Sequence, residues 1–496
     1  MPTSTAAGSA ESPRAARRSY LVWAVGAGVY VLAVFHRSSL GVAGPEAAQR
    51  LSLSGAGLAS FVMLQLAVYA AMQVPTGILV DRFGPRRVLL VATMVMGAAQ
   101  ILFAFVDAYL PALLARGLLG CGDALTYISV LRLAAGWFPA RRYPVITSFT
   151  GLMGSLGNLV ATLPLTGVLH GLGWTPTFAI AGGISLAYAL LLLRPATAAP
   201  FQQAQERAAT GPVSGHRVVT QVREAWRIPA GRLAFWVHLT TMGCPTVFAV
   251  LWGYPYLTEG LGLAPAAAST FMLEFVIGGV ITNLALGQVI SRRPEIRTPI
   301  AIVVSCACIL GWTTLVAWPG GRPSTAVLVL VIAVLSLGGP ASSVAFMLAR
   351  DYNPRHRIST ATGLVNVGGF CGAVVGIFAV GQVLDLMADP DGRHPLASFR
   401  FAWCALIVIT AVGLSRLLTW WLRARALVLL AQARGEDVPV HLHLHRWELI
   451  DADELDREAE LVRAAEEAQA NGDSEVAQEL RDQVRPMHRS FDKLDR

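Results

Sequence analysis

The sequence predicts an all-α polytopic membrane protein, and two observations predict this class. Of the 496 residues, 54% are hydrophobic and only 14% are charged, whereas soluble domains have a charged share of about 25%. The apolar residues also come in blocks of about 20, the length of a helix that crosses a bilayer. Because segments of this length satisfy all their backbone hydrogen bonds in lipid only as helices, each block is predicted to be a transmembrane helix.

About twelve apolar blocks follow one another, at approximately 20–43, 57–80, 88–107, 110–136, 144–169, 175–194, 232–258, 265–290, 298–318, 324–349, 358–384 and 398–422. We therefore expect twelve transmembrane helices in two six-helix bundles. The first block is too long for a signal-peptide core and counts as a span. The predicted units are an N-terminal tail (1–19), a first bundle (20–194), a linker with one amphipathic helix (195–231), a second bundle (232–422) and a helical tail (423–496).

The net charge of +8 is carried mostly by arginine, and its distribution alternates between the two sides of the predicted bundle. Loops on one side hold Arg14, Arg17, Arg18, Arg82, Arg86, Arg87, Arg141, Arg142, Arg207, Arg217, Arg223, Arg227, Arg292, Arg293, Arg297, Arg355 and Arg357. Loops on the other side hold only Arg50, Arg322 and Arg393. The positive-inside rule then predicts a plasma (inner) membrane protein with both termini in the cytoplasm. No basic face on a soluble domain is visible, so nucleic acid is not an expected partner.

The segment from Gly77 to Leu89 carries an acid, three arginines and a Gly-Pro pair between two apolar blocks. Each charge costs about 2.5–3.5 kcal/mol at the bilayer centre, so the segment must be a tight loop at a membrane face. Its order, Gly-x-Leu-x-Asp-Arg-x-Gly-x-Arg-x-x-Leu, resembles the loop between helices two and three of the major facilitator superfamily of secondary transporters. The resemblance covers roughly residues 20–422 and implies the major facilitator fold and alternating access.

The same resemblance assigns a gate motif. Its members are Gly77, Asp81, Arg82, Gly84 and Arg86. Asp81, Arg82 and Arg86 are expected to form the latch that closes the cytoplasmic side. Asp81, at a helix end, would accept from facing amide groups or arginines.

An internal echo indicates duplication of the two halves. The segment 138–142 leads into the glycine-rich run 151–157, just as 353–357 leads into 363–369. A degenerate repeat of the gate motif occurs at 287–293, where Ser291 replaces the acid. Repeated halves are what a rocking mechanism of alternating access requires. The glycines are expected to let helices pack closely.

Ionisable residues inside the spans are expected to carry function. With a rise of 1.5 Å per residue, Arg37 in span one and Arg116 in span four fall at about the same depth, and Asp123 lies about 10 Å deeper on the face of Arg116. Two arginines on one cavity wall would bind an anion, since a guanidinium suits a carboxylate bidentately. Asp123 and His36 are then candidate proton carriers.

A second resemblance concerns the organic-anion:cation symporter branch of the superfamily. That branch has an acid-Arg pair in helix one, an arginine in helix four and an acid two turns later, which Arg37, Arg116 and Asp123 match. His36 departs from the pattern, because the branch has an acid there. Two other interpretations stay open: Arg37 snorkels to the outer interface, and Arg116 with its neighbouring glycines belongs to a general span-four motif of importers and exporters. Arg132 is expected at a gate contact or snorkelling.

In the second half, Glu274 is the lone acid within span eight. It either titrates, binds a cation or makes a structural hydrogen bond. Tyr254 is a candidate for lining the substrate cavity, together with Trp252 and Tyr256. The alternative is an interfacial aromatic belt, which is favoured for Tyr256.

These observations predict proton-coupled import of a small organic anion, with a lipid bilayer, protons and the substrate as partners and a functional monomer. The alternative is proton-driven efflux of drugs or metabolites, whose carriers often have a Gly-Pro pair in span five; here Pro164 follows Leu163. An enzyme, a cofactor or a metal is not expected. The three histidines that alternate in the tail have no second ligand set: His441, His443 and His445. The six cysteines are expected to be buried small hydrophobes without disulfides.

Overall fold

The computed structural model describes residues 13–52, 55–193, 215–354, 357–387, 389, 394–434, 438–440, 442 and part of 460–480. Regular structure within these residues is helical, and they contain no strand. The first half holds α1 (Pro13–Val42), α2 (Gly44–Arg50), α3 (Gly55–Phe83), α4 (Pro85–Phe105), α5 (Tyr109–Trp137), α6 (Tyr143–Leu172) and α7 (Trp174–Leu192). The second half holds α8 (Gly215–Arg227), α9 (Pro229–Gly260), α10 (Pro265–Arg292), α11 (Arg297–Ala317), α12 (Thr325–Asp351), α13 (Ile358–Leu386) and α14 (Leu396–Ala433).

Ten of these helices are long and apolar enough to cross a membrane. Helices α3 and α6, with 29 and 30 residues, complete a set of twelve. The prediction of an all-α polytopic membrane protein with twelve spans is confirmed. The two short helices lie outside the set: α2 follows the first span, and α8 lies in the described part of the linker.

Two helices differ from the regular spans that the sequence predicts. Helix α9 contains three π-helical turns, at Leu239–Gly243, Phe248–Trp252 and Tyr256–Gly260. Two prolines, at 245 and 255, lie between these turns, and a proline removes a backbone donor and disturbs the regular ladder. Helix α14 continues past residue 422 to Ala433, and several apolar side chains of this extension are buried.

Each bundle has an aromatic core. In the first bundle, Phe103 packs on Trp174 and Phe178. In the second, Trp312 packs on Trp403, and Tyr256 meets the Trp403 ring edge-on. The favoured interfacial position of Tyr256 is therefore wrong, because this side chain is only 1% exposed and belongs to the core.

All six cysteines are free, but only Cys244 and Cys308 are buried, while Cys121 and Cys404 are half-buried. Cys306 and Cys371 are exposed on helices α11 and α13. The expectation of burial fails there because, in a membrane-spanning helix, an apolar thiol can face lipid as readily as the protein core.

The arginine-rich loops after α3, α5, α10 and α12 lie at one end of the helices, which we call the basic side. The bundles meet mainly through two helix pairs, α3 with α13 and α6 with α10. Hydrogen bonds between the bundles cluster toward the basic side, as described next. The structure is thus a conformation closed on that side.

Candidate functional site

The contact between α3 and α13 centres on Asp81, near the end of α3. Its Oδ1 accepts from the backbone N–H of Ser359 (3.1 Å), and its Oδ2 accepts from the N–H and the hydroxyl of Thr360 (2.7 and 2.8 Å). These residues belong to the first turn of α13, whose N–H groups have no partner within the helix and carry a partial positive charge. Asp81 therefore caps the N-terminus of α13 from the opposite bundle. An N-cap residue does the same for the helix that directly follows it in sequence.

Glycine makes this approach possible. A Cβ at Gly77 would lie 2.5 Å from the carbonyl oxygen of Ser359 and 2.8 Å from the Cα of Thr360. One turn deeper into the bundle, a Cβ at Gly363 would collide with the carbonyl oxygen of Gln73. The two helices therefore touch backbone to backbone beside Asp81.

Arg132 adds a cation to the same contact. Its Nε lies 3.7 Å from Asp81 Oδ1, and its side chain is 5% exposed. Arg132 therefore makes a gate contact in this conformation, and it does not snorkel to the inner surface. The carboxylate of Asp81 therefore contacts both the start of α13 and the Arg132 guanidinium.

The other motif residues shape the first bundle. Gly84 has a φ of 80°, a left-handed conformation that favours glycine, and Pro85 then begins α4. Arg86 donates from Nε to the carbonyl of Leu192 (2.7 Å) and from Nη2 to that of Leu193 (2.5 Å). Arg86 thus caps the end of α7 and joins it to α4 instead of reaching the second bundle, while Arg82 lies over the Phe83 ring, 5.1 Å from its centroid. In this conformation Asp81 of the predicted latch reaches the second bundle, whereas Arg86 is engaged within its own bundle.

Deeper in the first bundle, Arg37 and Asp123 form a bidentate ion pair. Arg37 Nε donates to Asp123 Oδ2 and Nη2 donates to Oδ1, both at 2.7 Å. The Asp123 side chain is fully buried, whereas that of Arg37 is 28% exposed. The Arg37 guanidinium also lies over the ring of Tyr69, 4.7 Å from its centroid. Snorkelling of Arg37 to the outer interface is therefore wrong in this conformation, because its side chain extends inward to Asp123.

Arg116 does not join Arg37 on a cavity wall. It is fully buried, and its guanidinium donates to the backbone carbonyls of His36 (3.3 Å) and Arg37 (3.4 Å) and to Gln65 Oε1. The prediction that both arginines face one cavity is wrong in this conformation, because the Arg116 side chain lies between α1, α3 and α5. It holds the backbone of α1 in place behind Arg37.

His36 points away from the ion pair. Its Nε2 lies 2.7 Å from the Ser185 hydroxyl on α7, and its side chain is fully buried. Neighbouring residues of a helix point in different directions, so Arg37 faces Asp123 while His36 faces another helix. The two candidate proton carriers, His36 and Asp123, therefore have different partners.

A buried polar chain that the sequence analysis missed links the two bundles. Asn366 Nδ2 donates to Gln73 Oε1 (2.5 Å), and Asn366 Oδ1 lies 3.2 Å from His238 Nε2. Beside it, the ring of Tyr69 packs on Phe370 at 4.8 Å between centroids. An amide or imidazole inside an apolar span is itself a signal of function, which the sequence offered at these positions. We call the set formed by the ion pair, Tyr69 and this chain the central polar cluster: Arg37, Tyr69, Gln73, Asp123, His238 and Asn366.

Glu274 and Tyr254 lie outside this cluster. On α10, Glu274 Oε1 is buried and accepts no hydrogen bond from the described residues. The structural hydrogen bond considered for Glu274 is therefore absent from the described part of the chain. Tyr254 on α9 is 40% exposed, and its carbonyl accepts from the Thr258 hydroxyl.

No metal site emerges from the residues that the structure covers, which contain no group of three or more His, Cys, Asp or Glu side chains placed to hold an ion. His441, His443 and His445 lie outside the described residues.

Comparison with known proteins relates the chain to membrane transporters. It is 25% identical over 287 residues to a probable sulfoacetate transporter of Cupriavidus necator, a match covering 54% of this chain and 64% of that relative's length. It is 22% identical to a probable galactarate/D-glucarate transporter of Escherichia coli, covering 72% of this chain and 85% of the relative. The identity to a hexuronate transporter of Bacillus subtilis is also 22%, with 77% and 92% covered.

The fold has a solved counterpart. The structure of the proton:xylose symporter XylE superposes with a TM-score of 0.61 at 13% sequence identity, covering 82% of this chain and 96% of that one. Residues 26–377 match the model of the Major Facilitator Superfamily. The resemblance first seen in the segment around Asp81 is thereby confirmed over most of the chain, which belongs to the Major Facilitator Superfamily.

Proposed function

We propose that this protein is a proton-coupled importer of a small organic anion that works by alternating access. The observation that carries the proposal is the Arg37–Asp123 pair, in which the arginine side chain is 28% exposed while the aspartate side chain is fully buried. Membership of a transporter family confirms the expectation that the chain is not an enzyme. Several relatives are named for organic anions: sulfoacetate, galactarate or D-glucarate, and hexuronate.

Asp123 occupies the donors that an anionic substrate would need. Two of the three guanidinium nitrogens of Arg37 point at Asp123, and Nη1 donates to none of the described residues. A proton on Asp123 removes the negative charge that holds Arg37 and frees its planar fork for a carboxylate or sulfonate. An unpaired buried charge is costly, so the proton and the anion are expected to bind together.

The remaining groups complete the site. Tyr69 positions the Arg37 guanidinium by stacking, and Arg116 positions the backbone of α1. His238 and Asn366 supply neutral donors and acceptors from the second bundle, which suit hydroxyl groups of a substrate. We assign substrate contact to Arg37, proton transfer to Asp123 and a positioning role to Arg116.

Asp81 provides the switch between the two access states. In the conformation described here it joins α3 to α13 on the basic side, and its release would let the bundles separate there. By the positive-inside rule the basic side faces the cytoplasm. We place the protein in the plasma membrane. A functional monomer suffices for this mechanism, since both bundles belong to one chain.

Uptake into proteoliposomes tests the proposal. Radiolabelled sulfoacetate, D-glucarate and a hexuronate would be offered with and without an inward proton gradient, to the wild type, Arg37→Gln, Asp123→Asn and the control Arg322→Gln, which changes an exposed arginine between α11 and α12. We expect gradient-driven uptake of at least one anion by the wild type and the control, none by Arg37→Gln, and no gradient dependence in Asp123→Asn.

Two results would overturn this assignment. Gradient-driven uptake that survives Arg37→Gln would remove the anion site. Export of cationic compounds by the wild type, with no anion transported in either direction, would establish efflux instead.

A further inference from the structure

A groove lined by tryptophan and arginine lies where the linker helix meets the second bundle. It is formed by Trp226 of α8, Arg232 and Trp236 of α9, and Val412, Arg416 and Trp420 of α14. Neither the gate nor the central polar cluster uses any of these residues. We call this feature the tryptophan groove.

The groove lies at the depth of lipid headgroups on the basic side. Helix α14 begins at Leu396 on the opposite side, and Arg416 follows about 20 residues later. At 1.5 Å per residue this distance is about 30 Å, one hydrocarbon thickness. Arg232 lies in the first turn of α9, where that helix enters from the linker. Tryptophan is the residue that prefers this interfacial level.

The two arginines of the groove have no counter-charge among the described residues. Arg232 Nε donates to the carbonyl oxygen of Trp226 (2.7 Å), and its guanidinium lies 4.4 Å from the centroid of the Trp420 ring. No described carboxylate pairs with Arg232 or with Arg416, and the lining contains no acid. The nearest acid on α8, Glu224, is engaged by Arg357 at 2.8 Å. The groove therefore presents positive charge that needs an anion.

A third arginine lies beside the same ring. Arg423 is 4.7 Å from the centroid of the Trp420 ring. For Arg232, the ring holds the guanidinium in place without neutralising its charge, because a cation–π contact adds no counter-ion. Exposed Val412, at 53%, supplies an apolar wall that an acyl chain can cover.

We propose that the tryptophan groove binds the headgroup of an anionic phospholipid, with its phosphate between Arg232 and Arg416 and its acyl chain along Val412. Basic pockets between transmembrane helices on this side of a membrane suit such headgroups. The bound lipid would tie α8 to α9 and α14, and so anchor the end of the linker to the second bundle. The proposal does not depend on the identity of the transported substrate.

Native mass spectrometry of the full-length protein in detergent tests the proposal. Cardiolipin or phosphatidylcholine would be titrated into the wild type, the double variant Arg232→Gln/Arg416→Gln, and a control with two exposed arginines changed on α10 and the loop after it, Arg292→Gln/Arg293→Gln. We expect retained cardiolipin on the wild type and the control, and about 30-fold weaker retention by the double variant. Trp420→Leu, which removes the stacking ring but no charge, should weaken retention by a smaller factor.

Thermal unfolding provides a second readout, because a lipid that binds only the folded protein stabilises it. Cardiolipin should raise the melting temperature of the wild type and leave that of the folded double variant unchanged. Equal cardiolipin binding by the double variant would overturn the proposal, and so would equal binding of phosphatidylcholine by the wild type. Stabilisation by inorganic phosphate alone that matches that of cardiolipin would assign the groove to a free anion and also overturn it. If the double variant does not fold, Trp420→Leu provides the test. Cardiolipin retention equal to that of the wild type would then contradict the proposal.

Discussion

The two helix pairs that join the bundles have the same shape and different chemistry. In one pair, Gly77 of α3 faces the start of α13, and Gly363 of α13 faces α3. In the other, Gly287 of α10 faces Ser148 of α6, and Gly151 of α6 faces α10. The two pairs thus repeat one pattern of close approach.

The polar contacts of the two pairs are unequal. Asp81 accepts three hydrogen bonds from the first turn of α13 and has Arg132 beside it. The equivalent Ser291 donates its hydroxyl to the carbonyl oxygen of Arg141, and Asn283 Nδ2 donates to the carbonyl oxygen of Ser148 (2.8 Å). A carboxylate on a helix N-terminus is a charge-assisted contact, about twice as strong as a neutral hydrogen bond.

The same division runs through the central polar cluster. Its ion pair, Arg37 and Asp123, belongs to the first bundle, whereas the second contributes the neutral His238 and Asn366. The two halves therefore share the shape of their helix contacts, while the charged members of the Asp81 contact and of the central polar cluster belong to the first half. We infer that the first bundle carries the switch and the coupling, and that the second supplies packing and neutral contacts.

The largest effect is expected from Asp81→Asn. The variant loses the negative charge that caps α13, and hydrogen bonds to a charged group contribute about 1.5–3 kcal/mol. We expect folded protein whose uptake falls about tenfold or more, because the closed state on the basic side is less populated. Spin-label distances between α3 and α13 on the basic side should lengthen. The matched variant Ser291→Ala should retain more than about half of the uptake; equal losses in both variants would contradict the asymmetry.

A glycine pair gives the next test. Gly77→Ala forces a methyl group against the backbone of α13, which cannot rotate away, and overpacking costs about 1–3 kcal/mol. Gly287→Ala meets one side chain of α6: the hydroxyl of Ser148 can rotate away, its Cβ at 2.9 Å requires a small shift, and no backbone atom of α6 lies closer than 3.6 Å. We expect uptake to fall about fivefold or more in Gly77→Ala and by less than about twofold in Gly287→Ala. A greater loss in Gly287→Ala would show that the neutral contact is the tighter one.

Arg132→Gln should have an intermediate effect. The substitution removes the cation 3.7 Å from Asp81 but leaves the three hydrogen bonds of the carboxylate. Because the 3.7 Å separation is longer than a hydrogen bond and Asp81 keeps its other partners, we expect less than the about 3–5 kcal/mol lost when a closely paired buried charge loses its partner. A loss of about 1 kcal/mol corresponds to a roughly fivefold decrease in uptake. A decrease larger than that of Asp81→Asn would show that Arg132 has a role beyond this contact.

The smallest effect is expected from Glu274→Gln in the second bundle. If coupling belongs to the first bundle, the dependence of uptake on the proton gradient should match that of the wild type. Initial rates measured at several external pH values provide the check. Loss of the gradient dependence would place a proton carrier on α10 and break the division between the halves.

Much of the fold was predictable because it depends on composition and order. Apolar blocks and arginine-rich loops predict the spans, and the spacing around Asp81 predicts a tight loop at a membrane face. The π turns of α9 and the extension of α14 were not predicted, since they depend on how neighbouring helices pack.

For the site, the sequence predicted residues better than contacts. Arg37 and Asp123 were both identified, but their pairing depends on how α1 and α5 are rotated about their axes. The same rotation directs His36 toward Ser185 and buries Arg116 beside Gln65. Depth along a helix follows from residue counting, whereas the direction of a side chain requires its neighbours.

The most direct measurement counts the protons taken up when an organic anion binds. Isothermal titration calorimetry of the purified protein, in buffers of different ionisation enthalpy, gives this number for the wild type and for Asp123→Asn with an anion found in the uptake assay. We predict uptake of about one proton per anion by the wild type, with affinity rising as the pH falls, and none by Asp123→Asn. Anion binding without proton uptake in the wild type, or the same uptake in Asp123→Asn, would contradict the account.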